Sequence, residues 1–358
     1  MGRDALVPVA RSDPGGAICD PVPVRVLLYT HPACLEHDPG QWHPERAARI
    51  GATVDGARRS GQEILDREAP VVALETLYAV HDRAHVALVK AVCDGGGGAF
   101  DADTVASPGS WQAALHAAGA GPAAIEAMER DEGDTALLAV RPPGHHARRG
   151  QAMGFCLFNN IAVAAEVLVG QGTQVAIVDW DVHHGNSTQE MFYERRDVLY
   201  ISTHEFPFYP GTGWVDETGA GEGAGFTINL PFPPGTAGDA YDQAWERVVV
   251  PVLASMRPDW VLVSAGYDGH RDDPLAGIQL GDQDFGRMAH RLEALAPGRV
   301  VLFLEGGYDL SLLTTSVEAT LRGMGGELPP LTGDKSPPRS FHMLDLAVTQ
   351  IAQFWDVR

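Results

Sequence analysis

Short, continuous apolar runs recur along this chain, and helical patterns lie between several of them. The runs fall at 24–29, 135–140, 174–179, 198–202, 226–230, 260–265 and 300–304. Strands that read as unbroken apolar runs, rather than as an alternation, are those covered by helices on both faces. Helix-period segments at 111–130, 160–169, 241–255 and 284–295 supply such covers. The expected fold is therefore α/β, with a central, largely parallel β-sheet flanked by helices. The Gly-rich stretch 95–98 and the Gly- and Pro-rich stretch 205–225 read as loops, and residues 325–340 read as a surface connection.

No linker-like segment divides the later motifs, so one domain over 25–358 is expected, preceded by a flexible leader over 1–24. The net charge is -21, with 26 basic against 47 acidic residues, and the only lysines are Lys90 and Lys335. Such a surface is soluble and attracts cationic ligands. It lacks the basic patch that would hold a nucleic-acid backbone. Cys19, Cys34, Cys93 and Cys156 form no CxxC pair, which argues against both a disulfide framework and a cysteine zinc site. No stretch is long and apolar enough to span a membrane, and the first residues carry no signal-peptide pattern. A cytoplasmic enzyme, with oligomerisation open, is the expectation.

The residues that carry chemistry follow the ends of the apolar runs, where open parallel sheets bind ligands. The stretch 179–185 reads DWDVHHG and the stretch 265–268 reads AGYD. In extended backbone, Asp179, Asp181 and His183 would face one way. Asp181, His183 and Asp268 then supply three ligands to one metal and leave a position open for water and substrate, as catalytic rather than structural zinc sites do. Ferrous iron or cobalt would also suit these donors. Zinc brings the pKa of a bound water to about 7. His145 and His146 follow a stiff Pro-Pro turn and titrate where protons must move at neutral pH. Asp179 is a candidate partner for His145, and Asn186 for His146. On that basis His146 is the expected base and His145 the more cationic, electrostatic neighbour. Tyr308, after Gly306-Gly307, can donate its hydroxyl to a developing oxyanion. Together these groups suffice to hydrolyse an amide.

The motifs RPPGHHA (141–147), MGFCLFNN (153–160), DWDVHHGN (179–186), YPGTG (209–213), SAGYD (264–268), DPLAG (273–277) and LEGGYD (304–309) occur in this order. With them the chain resembles the histone deacetylase superfamily from about residue 25 to 323. The wording is nearest to the class II and bacterial deacetylase-like amidohydrolases. The resemblance implies an arginase/deacetylase-type fold and one catalytic zinc at Asp181, His183 and Asp268. It implies His145 and His146 as acid–base pair, assisted by Asp179, and Tyr308 as the carbonyl-polarising donor. It implies a structural potassium ion near Asp179, Asp181, His183, Ser202 and Thr203. It implies an acyl-lysine tunnel walled by Phe155 and Tyr209, with the Gly154 carbonyl accepting from the substrate amide and Asp103 on the rim.

Polyamine-selective relatives carry a glutamate where this chain has Leu275. An apolar residue there favours acyl-lysine in peptides or proteins over acetylated polyamines. An arginase-like dinuclear site would need carboxylates where Gly185 and His270 stand. A silent acyl-lysine binder would not need Tyr308 with both histidines.

Overall fold

The computed structural model describes residues 23–358. The leader expected over 1–24 lies almost wholly outside these residues. Strand β1 (Arg25–Thr30) is followed by β2 (Glu63–Glu68), by the two-residue strands β3 (Gly98–Ala99) and β4 (Val105–Ala106), and by β5 (Thr135–Leu138). Then come β6 (Val175–Asp179), β7 (Val198–Glu205), β8 (Thr227–Phe232), β9 (Trp260–Ala265) and β10 (Val300–Leu304). Eight of them form one sheet in the order β2-β1-β5-β10-β9-β6-β7-β8, and every pairing in it is parallel. β3 and β4 pair separately and antiparallel, so Gly98 belongs to a short strand rather than to the expected loop. β7 likewise runs to Glu205, past its expected end at Ser202.

Alternate residues of the sheet feed two cores, one on each face. Leu137, Val178, Val263 and Leu302 pack on one face with Trp245, Phe285 and Val317. Leu138, Ile177, Leu262 and Phe303 pack on the other with Ile125 and Ile161. Full burial of a Val, Leu or Phe side chain contributes about 1.5–3 kcal/mol, and nearly every residue of the central strands is buried. That is why these strands read as apolar runs.

The helices Ser110–Glu129, Asn160–Gly170 and Asp282–Leu295 lie close to their expected spans. The one expected over 241–255 is a composite: Gly238–Ala244, a π-helical turn at Trp245–Val249, then Val250–Met256. Pro251, which has no N–H to donate, stands at the start of the last piece. The π-helical turn lies immediately ahead of it, closed by the Val250 N–H donating to the Trp245 carbonyl.

The chain passes from β5 to β6 and leaves a gap between them that β10 and β9 later fill. Such a reversal of strand order opens a crevice at the carboxyl ends of the strands.

Candidate active site

β5, β10, β9 and β6 are neighbours in the sheet, and each delivers one of the four motifs to the same edge. Asp181, His183 and Asp268 converge there. His183 Nδ1 lies 3.1 Å from Asp181 Oδ1 and 3.1 Å from Asp268 Oδ2. One ligand atom from each of the three lies within 4.8 Å of the others, the one such cluster among the described residues. Two carboxylates and one imidazole, with nine-tenths or so of each side chain out of solvent, are a donor set for a single divalent cation.

The convergence does not come from extended backbone. β6 ends at Asp179, so the alternation expected through His183 fails beyond it. Hydrogen bonds shape the turn instead. The Asp181 amide donates to Asp179 Oδ1 (3.1 Å), the Val182 amide to Asp268 Oδ1 (3.0 Å) and the His183 amide to Asp181 Oδ1 (2.8 Å). Gly306 N–H donates to Asp181 Oδ2 at 2.7 Å. A Cβ on Gly306 would stand 1.9 Å from Asp268 Oδ2, so only glycine lets the β10 turn come this close. Burial alone would raise the Asp181 carboxyl, but His145 and His183 hold it below its ordinary value. Burial would lower His183, yet its contacts with Asp181 and Asp268 raise it to about 10.

His145 and His146 sit 4.0 Å apart between ring centroids, in unlike surroundings. His145 Nδ1 faces Asp179 Oδ2 at 3.0 Å, and His146 Nδ1 faces Asn186 Oδ1 at 2.8 Å. Burial would lower His145, but Asp179, Asp181 and Glu305 outweigh it and push the imidazole up to about 10. Burial, reinforced by the charges of His145 and His183, drives His146 well below its ordinary value. The pair therefore divides into a cation and a neutral base. Glu305 supports the turn that carries it, because its Oε2 accepts from the amides of Gly144 (2.7 Å) and His145 (3.2 Å).

A pocket of about 200 Å³ opens above these groups. Gly154, Phe155, Tyr209, Leu275 and Asp103 line it together with His145, His146, His183 and Tyr308. Tyr209 meets His146 edge-on at 5.1 Å, and Phe155 meets Tyr308 edge-on at 5.9 Å. Gly154 and Phe155 both have positive φ, 55° and 67°, which turns the Phe155 ring into the wall. The Gly154 carbonyl accepts from the Cys156 thiol at 3.2 Å and keeps a second lone pair. Burial, with Asp268 nearby, holds the Tyr308 phenol well above its ordinary value, so its hydroxyl stays a donor.

Behind the triad, Asp179 on β6 and Ser202 on β7 are register partners. Thr203 Oγ1 is buried without a hydrogen-bond partner, while Ser202 Oγ meets His204 Nδ1 at 2.8 Å.

A buried ionic network, not singled out from the sequence, ties these parts together. Glu45 binds both Arg49 (3.0 Å) and Arg141, whose Nη2 lies 2.6 Å from Glu45 Oε2. Arg49 in turn donates to the carbonyls of Gly307 (2.7 Å) and Glu305. All three side chains are fully buried. Asp273 adds another support, with Oδ2 accepting from the Tyr308 amide (2.8 Å) and Oδ1 from the Leu275 amide (3.0 Å). Arg141 and Asp273 each open a motif noted above, which was the available signal.

Residues 43–324 match the family model described as the histone deacetylase domain. The chain is 38% identical over 289 residues to a probable deacetylase of Archaeoglobus fulgidus, covering 78% of this chain and 80% of that one. It is 41% identical over 275 residues to a histone deacetylase-like amidohydrolase of Pseudomonas aeruginosa, covering 74% and 72% respectively. Among solved structures, the HDA15 HD domain superposes with a TM-score of 0.87 at 34% identity, covering 93% of this chain and 95% of that one. A match across most of the chain, on the arginase/deacetylase-type fold, makes this protein a member of the histone deacetylase family of deacetylases and amidohydrolases.

Proposed function

We propose that this protein is a zinc-dependent deacylase that removes acetyl or other acyl groups from the ε-amine of lysine in peptides or proteins. The observation that carries the reading is the convergence of three metal-type donors, an unlike histidine pair and a tyrosine on one narrow pocket. Asp181, His183 and Asp268 would hold the metal, which supplies Lewis acidity and a nucleophile at neutral pH.

The chain's own groups do the rest. The acyl-lysine enters between Phe155 and Tyr209, and the Gly154 carbonyl accepts its amide N–H. Tyr308 donates its hydroxyl to the carbonyl oxygen and best fits the charge that grows there during attack. His146 Nδ1–H donates to Asn186, which leaves Nε2 free to take a proton from the attacking water. The same nitrogen then returns a proton to the departing amine. His145, held cationic by Asp179, stabilises the negative charge of the transition state without exchanging its own proton. Oxyanion charge, proton and leaving group are all accounted for, and no acyl-enzyme is required.

Leu275 on the pocket wall supports a lysine chain over a polyamine, because it presents no carboxylate to a distant ammonium. Potassium behind the triad is part of the proposal, supported by the unpartnered Thr203 hydroxyl.

The test is turnover of an acetyl-lysine peptide by protein stripped with a chelator and reloaded with zinc, beside Tyr308→Phe. Reloading restores activity, and the variant loses roughly 10²–10³-fold in kcat with little change in KM. Full activity after stripping, or an unchanged kcat in the variant, would defeat the mechanism.

A further inference from the structure

Trp42 is 90% exposed, whereas the other tryptophans are buried or half-buried. A scattered exposed apolar residue needs no explanation by itself. This one is held at the mouth of the site by its neighbour. The His43 ring packs edge-on against Phe155, with centroids 4.5 Å apart. His43 Nε2–H donates to the Asp103 carbonyl at 3.0 Å, and its Nδ1 accepts from the Glu45 amide at 3.1 Å. Phe155 and Asp103 both line the pocket. The Trp42 Cα lies about 3.8 Å from that of His43, and the indole is almost wholly in solvent. The loop is anchored on its inner side by Glu45, so Trp42 is not carried on a loose end.

The two segments that meet at the His43–Asp103 hydrogen bond are more acidic than basic. Glu36, Asp38 and Asp103 are exposed, Asp101 is half-buried, and Arg46 is exposed. An open indole face in such a field attracts a cation and gains further from being shielded from water when covered.

We propose that Trp42 is a specificity-determining platform for a cationic side chain, arginine or lysine, that neighbours the acyl-lysine in a peptide substrate. The inference rests on the acyl-lysine reading above. In this reading the substrate chain that places its acyl-lysine past Phe155 crosses the rim on the side of His43, which packs against Phe155. Its next side chains then lie over Trp42, with Asp101 and Asp103 close to the charge. The buried acyl group is read by the pocket, and the sequence around it is read by the rim.

The test compares kcat/KM of the wild type, Trp42→Ala and Trp42→Phe on peptides that differ only in the residues flanking acetyl-lysine: arginine, glycine or phenylalanine. The readout is the arginine-to-glycine ratio within each protein, so any general loss of activity cancels. A cation–π contact at an exposed site predicts a wild-type ratio about threefold above that of Trp42→Ala, carried by KM, with Trp42→Phe between them. In the Tyr308→Phe background, the arginine peptide should also protect tryptophan fluorescence from acrylamide, and Trp42→Ala should lose that protection. Equal ratios in all proteins, or a phenylalanine peptide favoured as much as the arginine one, overturn the platform alone. Turnover of N-acetylated polyamines with none of any acetyl-lysine peptide overturns the acyl-lysine reading and the platform with it.

Discussion

Glu45→Gln should be the most damaging single-atom exchange outside the pocket. The carboxylate is fully buried and faces two buried guanidiniums, Arg49 and Arg141, with His37 Nε2 at 3.4 Å. Removing its charge leaves both guanidiniums without compensation in a site that water does not reach. Breaking a buried pair in this way costs about 3–5 kcal/mol. The amide can still accept with Oε1, but its NH₂ group would then point at an arginine donor. Burial alone would raise the Glu45 carboxyl, yet Arg141 and His37 hold it well below its ordinary value. Its folded-state pKa is therefore depressed. The stability this supplies is full above the unfolded value of about 4.3 and is lost as pH falls through the folded value. Urea unfolding of wild type and variant, at neutral pH and again near pH 3, measures both effects. The wild type should exceed the variant by about 3–5 kcal/mol at neutral pH, and the gap should begin to close only in the acid range. A gap below about 1 kcal/mol, the scale of an exposed pair, would refute the argument. So would a gap that closes already at pH 6.

Other consequences follow from the site. Asp273→Ala frees the amides of Tyr308 and Leu275 together. It should cost about 1–3 kcal/mol of stability and lower kcat on acetyl-lysine more than it raises KM, as separate steady-state constants would show. Asn186→Asp puts a carboxylate against His146 Nδ1. That raises the imidazole's pKa, so the neutral base exists only at higher pH, and the acid limb of the kcat/KM profile should move upward. An unmoved limb would remove His146 from the role of base.

Much of this site was legible because its chemistry is packed into contiguous strand-end motifs. Asp181 and His183 stand two apart, His145 and His146 are adjacent, and glycines mark where the backbone must approach them. The central strands were legible for a simpler reason, since burial on both faces leaves only apolar residues. β2 was not, because it is an edge strand in whose sequence, EILDRE, only Ile64 and Leu65 are uncharged, and exposed edges commonly carry charge. Helix Ala48–Arg59 was missed because its buried positions include Arg49, Ala52, Thr53, Gly56 and Ala57, which give no large apolar stripe. The Glu45 network was missed because its partners lie 96 and 258 residues apart along the chain. A charged residue in a loop reads as solvated until its distant partner is seen. The turn after Asp179 shows the reverse error. The structure does bring Asp181, His183 and Asp268 together, but the strand argument used to align them stopped at Asp179, and hydrogen bonds to side chains complete the alignment.

The central claim is that the metal triad, the histidine pair and Tyr308 hydrolyse acyl-lysine in a pocket walled by Leu275. The measurement that tests it most directly is turnover by zinc-loaded protein on a paired panel: acyl-lysine peptides of increasing acyl length and N-acetylated polyamines. The account predicts metal-dependent release of the acyl group with peptides preferred. Polyamine preference would contradict the Leu275 argument, and no metal-dependent turnover of either class would contradict the proposed function itself.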